Sequence, residues 1–132
     1  MNKLLITAMI LLPLSGSVTA QDEVKIPAGI SIAFRFGNAA GLSEYLNSTV
    51  EILLLDKEDF YSKSVAENIL KDFFNRYHTR EFTIRHQGAN NDAQYAIANL
   101  VTDKGSFRVY ILLKKVSGSP LIHQIRIEPG NE

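Results

Sequence analysis

The chain has 132 residues, 45% of them hydrophobic, with 14 basic and 14 acidic side chains and no cysteine. Without cysteine, disulfides, thiolate zinc sites, a cysteine nucleophile and a lipid-modified lipoprotein terminus are all excluded. The charges balance and are dispersed, so the basic face that nucleic-acid phosphates require is missing.

The first twenty residues have the layout of an export signal. Met1-Asn2-Lys3 is a short positive start, Leu4 to Leu14 is an almost unbroken apolar run, and the segment ends in the small-x-small pattern Val18-Thr19-Ala20. The run is far shorter than the roughly 20 residues that cross a bilayer, so cleavage after Ala20 is expected rather than a membrane anchor. No cysteine follows the cleavage point, and the reading is a released periplasmic or secreted bacterial protein, not a lipoprotein. Residues 21–25 form a flexible lead-in, and residues 26–132 form one domain with a single core.

Pro27 suits a first helical position, and Ile30, Ala33 and Phe34 follow on one stripe. Gly37-Asn38 supplies a left-handed stop, and a second short helix runs from Ala39 to Leu46. Val50 to Leu55 reads as a buried strand. Asp56 to Asp59 is a charged turn, after which Phe60 and Tyr61 extend or re-form the strand. Ser64 and Glu67 make a capping box for a helix over 64–77, whose apolar face is Ala66, Ile69, Leu70, Phe73, Phe74 and Tyr77.

From Arg80 the period changes to two. Strands are expected over 81–87, 93–102, 106–116 and 121–128, separated by Gly88 to Asp92, Asp103-Lys104-Gly105 and Ser117 to Pro120. If Gly105 occupies a bulge, Thr102 pairs with Ser106. Tyr95, Ile97, Asn99 and Val101 then share a face with Phe107, Val109, Ile111 and Leu113, opposite Ala96, Ala98, Leu100, Arg108, Tyr110, Leu112 and Lys114. A slip of one residue exchanges these sets. Both faces are more apolar than solvent requires, so one covers the helices and the other is expected to meet a partner, with a homodimer through the outer sheet face the first expectation.

The order helix, short helix, strand, long helix, four-stranded meander resembles the nuclear transport factor 2-like (cystatin-like) superfamily. The segment Ala33-Phe34-Arg35-Phe36-Gly37-Asn38-Ala39-Ala40, with Leu42 and Tyr45, is similar to the break between the first two helices of many members. The resemblance implies an α+β fold, with helices packed in the concave face of a strongly bent antiparallel sheet. Over Ile26 to Glu128 the chain more closely resembles a Bacteroidota family of small exported proteins, domain of unknown function 4783. That likeness is carried by Leu53-Leu54-Leu55-Asp56-Lys57-Glu58, Tyr61-Ser62-Lys63, Phe82-Thr83-Ile84-Arg85-His86-Gln87-Gly88 and Phe107 to Lys115. It implies a fold and a compartment, but no activity.

Enzymes of the superfamily place a carboxylate or histidine in an apolar cone, where it moves a proton beside a carbonyl while a tyrosine or protonated acid holds the oxyanion. Here no meander strand carries an Asp or Glu in its middle, and Asp56 reads as a turn acid. The three histidines, His78, His86 and His123, lack the spacing of metal ligands. The chemistry-bearing candidates are ligand-binding ones: Tyr45, Tyr61, His86, Asn99, Tyr110, His123 and Arg126. A polar cluster of His86 and Gln87 with His123, Gln124 and Arg126 is expected at one end of the sheet. The preferred reading is a non-catalytic exported domain, with no cofactor or metal, that binds a small apolar ligand or a protein partner. The alternatives are a ketosteroid isomerase-like or dehydratase-like enzyme using His86 or Asp56, and a structural dimerisation module.

Overall fold

Residues 25–130 are described in a computed structural model; the expected signal segment lies outside the described residues. Helix α1 (Ala28–Phe36) starts one residue after Pro27, which is its N-cap and accepts a hydrogen bond from the Ile30 amide at 3.0 Å. Gly37, at φ 60°, ends it as expected, with the amides of Gly37 and Asn38 donating to the carbonyls of Phe34 and Ala33. Asn38 then caps α2 (Ala39–Ser43), its side chain accepting from the Gly41 amide at 2.9 Å. That helix is shorter than expected because Leu46 already belongs to a strand.

Strand β1 (Leu46–Leu54) turns through Leu55-Asp56 into β2 (Lys57–Ser62), so the charged stretch is a strand rather than a long turn. β2 is an edge strand, and Lys57-Glu58-Asp59 is the charged composition that keeps an edge from pairing with other chains. Helix α3 (Lys63–Arg76) is capped by Ser62, whose Oγ accepts from the Val65 amide at 3.3 Å. The expected cap, Ser64, sits inside the first turn, because Ser62 is the last extended residue leaving β2.

Strands β3 (Thr79–Asn90), β4 (Ala93–Thr102), β5 (Gly105–Val116) and β6 (Ser119–Pro129) form the expected antiparallel meander. β1 joins β6 in parallel, giving one mixed six-stranded sheet in the order β2-β1-β6-β5-β4-β3. Helix α1 lies against β3, α3 against β1 and β2, and α2 against α3.

The register of β4 on β5 corrects the sequence expectation. Thr102 pairs with Gly105, and the hairpin closes through Asp103 and Lys104 alone. Thr102 locks that short loop: its Oγ1 donates to the Gly105 carbonyl at 2.7 Å and accepts from the Lys104 amide at 3.2 Å. Leu100 therefore opposes Phe107, Ala98 opposes Val109 and Ala96 opposes Ile111, all buried beneath the helices. Tyr95, Ile97, Asn99 and Val101 share the other face with Arg108, Tyr110 and Leu112. In the expected register either face would have buried Asn99 or Arg108, and a polar group buried without a partner costs free energy.

The inner face of β3–β6 is filled by side chains. Phe34 stacks on Phe82 at 4.7 Å and meets Phe74 edge-on at 5.8 Å, while Phe73 and Tyr77 of the α3 end close on Phe107 at 5.5 and 5.0 Å. Beneath them Leu100, Val109, Ile111, Leu113, Ile122, Ile125 and Ile127 are fully buried. Among the described residues, no helix is long and apolar enough to cross a membrane.

Candidate functional site

Strand alternation sends every second residue of β3–β6 away from the helices. Two bulges enrich that outer face. Ile84 pairs with Ala98 and His86 with Ile97, so Arg85 is an extra residue in β3. Leu113 pairs with Ile122 and Leu112 with Gln124, so His123 is an extra residue in β6. A bulge re-aims side chains locally, and the first one brings Arg85 and His86 together beside Asn99.

Cross-strand pairing then assembles rows. One runs Leu53, Arg126, Tyr110, Ile97, His86 across five strands, and the next runs Glu128, Arg108, Asn99, Thr83. Arg126 donates through Nε and Nη2 to Glu128 Oε1 at 3.2 and 3.1 Å. With the Asn99 amide turned so that its oxygen faces Arg85, Nε and Nη2 of that arginine donate to it at 3.0 and 3.3 Å; the opposite orientation would set donors against donors. Gln124 donates to Glu51 of β1. A hollow of about 380 Å³ opens among Arg108, Tyr110, Gln124, Arg126 and Glu128, and a second of about 590 Å³ lies beside it over Arg85, His86, Asn99 and Arg108.

Four of the seven sequence candidates, His86, Asn99, Tyr110 and Arg126, thus meet on one face. The other three lie apart. Tyr45 follows α2, and its hydroxyl lies so close over Gly29 that a Cβ there would stand 1.9 Å from it; its carbonyl accepts from the Ile122 amide at 2.7 Å. Tyr61 is on the inner face of β2 and lines a groove of about 470 Å³ between β1–β2 and α3, floored by Ile52, Leu54 and Ile69. The ring of His123 folds back on its own strand, Nδ1 lying 2.9 Å from the Leu121 carbonyl. Gln87 also leaves the expected cluster, since its Oε1 accepts from the Ile26 amide at 3.0 Å and ties the start of the domain to β3.

Asp56 is exposed in the β1–β2 turn and His86 is exposed on the sheet. Among the described residues no three His, Asp or Glu side chains gather as a metal site. Arg85, Arg108 and Glu128 were not singled out by sequence. Alternation alone placed Arg108 beside Tyr110, but a bulge at Arg85 has no signature in local residue types.

A family model, Domain of unknown function (DUF4783), matches residues 27–128. The chain belongs to this family. It is similar to DUF4783 proteins of known crystal structure from Bacteroides ovatus (36% identity, TM-score 0.79) and Bacteroides uniformis (33% identity, TM-score 0.78). The alignments cover 81% and 82% of this chain and 97% and 100% of those chains. A cystatin-like domain from Nostoc punctiforme matches at 10% identity and TM-score 0.64, covering 80% of this chain and 73% of that one, a likeness of fold alone. A structure named for nuclear transport factor 2 matches at 16% identity and TM-score 0.61, covering 76% of this chain and 90% of that one, again a likeness of fold alone. The DUF4783 chain is therefore α+β with a nuclear transport factor 2-like, cystatin-like fold, as its element order implied. No curated protein matches it.

Proposed function

We propose that this DUF4783 protein is a non-catalytic, exported binding domain whose outer sheet face docks a protein partner. The observation that carries the reading is the contrast across the sheet: the inner side is filled by fully buried side chains, while the outer side sets half-exposed Leu53, Ile97, Tyr110 and Leu112 among arginines, a glutamine and glutamates. Such mixed apolar and polar surface, with tyrosine and arginine together, is the composition of interaction sites. Strand spacing gives the face about 24 Å by 30 Å over five strands, on the scale of the roughly 800 Å² per partner that a standard interface uses. A small apolar ligand would have the groove beside Tyr61 as its place. The signal-like first twenty residues support export.

The acid/base alternative is weaker, since Asp56 and His86 are exposed at separate places and neither stands in an enclosed apolar cavity with a tyrosine. The test is a photo-crosslinking residue placed at Tyr110 or at Lys71 on the outer surface of α3, in protein made by its own host. Adducts of discrete mass from position 110 and none from 71 are expected. Adducts from 71 with position 110 silent would refute the reading. An adduct at twice the protomer mass would make the partner a second copy.

A further inference from the structure

We infer that the occupant of the outer face is an extended acidic peptide segment with carboxylates at alternate positions, held by Arg108 and Arg126 and flanked by Arg85. This rests on the reading of that face as a protein-docking surface and names the chemistry it accepts. The two hollows share Arg108 and Glu128, so they form one trough across the strands from β3 to β6. In a chain whose charges balance overall, the outward positions of the five strands set Arg85, Arg108, Lys114 and Arg126 against Glu51, Glu81 and Glu128.

The arginines are held ready but not consumed. The Arg108 side chain is exposed and makes no hydrogen bond or ion pair with any described residue, leaving its five N–H donors open. Arg126 is steered by Glu128 through Nε and Nη2, which leaves its Nη1 edge for a second carboxylate. Arg85 is steered in the same way by Asn99. Guanidinium groups fixed like this suit bidentate carboxylate recognition.

Spacing selects the pattern. Arg126 faces Tyr110 and Arg108 faces Glu128, so the two arginines are diagonal neighbours, about 7–8 Å apart on a sheet. Alternate residues of an extended chain point the same way and lie about 7 Å apart. Carboxylates two residues apart therefore meet both arginines, and Arg85 lies two strands from Arg108, about 10 Å further along the trough. The half-exposed row of Leu53, Tyr110 and Ile97 beside the arginines covers the aliphatic stems of such side chains. A uronic-acid polymer carries its carboxylates on hydroxylated rings and would meet that row with ring faces rather than aliphatic stems.

The probe is a labelled, capped pentapeptide with glutamate at alternate positions and valine between, followed by fluorescence anisotropy with the protein purified from its host. Binding is expected to weaken as salt rises, to vanish for the glutamine version of the peptide, and to fall roughly tenfold in Arg108→Gln and in Arg126→Gln, the scale of one charge-assisted hydrogen bond. Arg108→Lys should lose less than Arg108→Gln, and Lys71→Gln should lose nothing; the urea midpoints of all four variants report whether folding is intact. Equal binding of the glutamine peptide, unchanged affinity in folded Arg108→Gln, binding of polygalacturonate alone, or no binding at all overturns the inference. Loss of peptide binding with crosslinks at position 110 retained would refute acid recognition alone; loss of both would refute the docking surface itself.

Discussion

The two faces of the β4–β5–β6 meander are built from the same strands, with alternate residues serving opposite ends. Inward, Ala96, Ala98, Leu100, Val109, Ile111, Ile125 and Ile127 are fully buried aliphatic groups with no chemistry beyond packing. Outward, Asn99, Arg108, Tyr110, Gln124, Arg126 and Glu128 are polar side chains that keep contact with solvent. On the proposed reading, alternation separates stability from recognition: one residue in two is spent on the core, and its neighbour faces outward.

The comparison breaks most visibly from the inside. Leu100→Ala removes a fully buried side chain facing Phe107 and should cost about 2–5 kcal/mol, read as a lower urea midpoint at unchanged slope. A loss below about 1 kcal/mol would mean the inner face is less tightly filled than the account requires. Gly29→Ala comes next. Its new Cβ would overlap the Tyr45 hydroxyl, so overpacking should cost about 1–3 kcal/mol, and Tyr45→Phe in the same chain should recover part of it. No cost in Gly29→Ala would return Tyr45 to the list of groups free to meet a ligand.

On the outer face the expected stability effects are small. Arg108→Gln should change the unfolding free energy by no more than about 0.5 kcal/mol, because its side chain is exposed. A larger loss would show that the outer row is also structural. The smallest effect belongs to the clasp between the α3–β3 junction and the β4–β5 turn. There Asp103 accepts from the His78 amide at 3.0 Å and its other oxygen lies 3.2 Å from His78 Nδ1. The hydrogen bond from the His78 ring, more than any other influence, holds the Asp103 carboxyl below its ordinary value of 3.8. A depressed carboxylate pKa stabilises the fold above the unfolded value and loses that contribution as pH falls through the lowered native value. Asp103→Asn should therefore be slightly less stable than the parent at neutral pH, with the gap closing below about pH 3.8. A gap that widens with acid would reverse the assignment.

Much of this fold could be read from residue order because its signals are local. Gly37-Asn38 marks the helix break, the apolar stripe from Ala66 to Phe74 marks α3, and period-two alternation marks β4, β5 and β6. What escaped is non-local. β2 hides because an exposed edge strand is charged like a turn, and the β4–β5 register depends on one hydroxyl, Thr102, shortening a loop. Bulges at Arg85 and His123 are settled by pairing with the neighbouring strand. For the proposed outer-face site, residue type alone pointed to His86, Asn99, Tyr110 and Arg126. Their gathering into adjacent rows, with Arg85, Arg108 and Glu128 between them, required the register.

The division between the two faces is tested most directly by measuring urea midpoint and crosslinking yield on the same variants, with the photo-reactive group held at position 97 on the outer face. Arg126→Gln and Arg108→Gln should lower the yield while leaving the midpoint nearly unchanged, and Leu100→Ala should lower the midpoint while each folded molecule still crosslinks. If the outer substitutions lowered stability as much as Leu100→Ala, or left the yield untouched, the sheet would not be divided between core and recognition and the account would be contradicted.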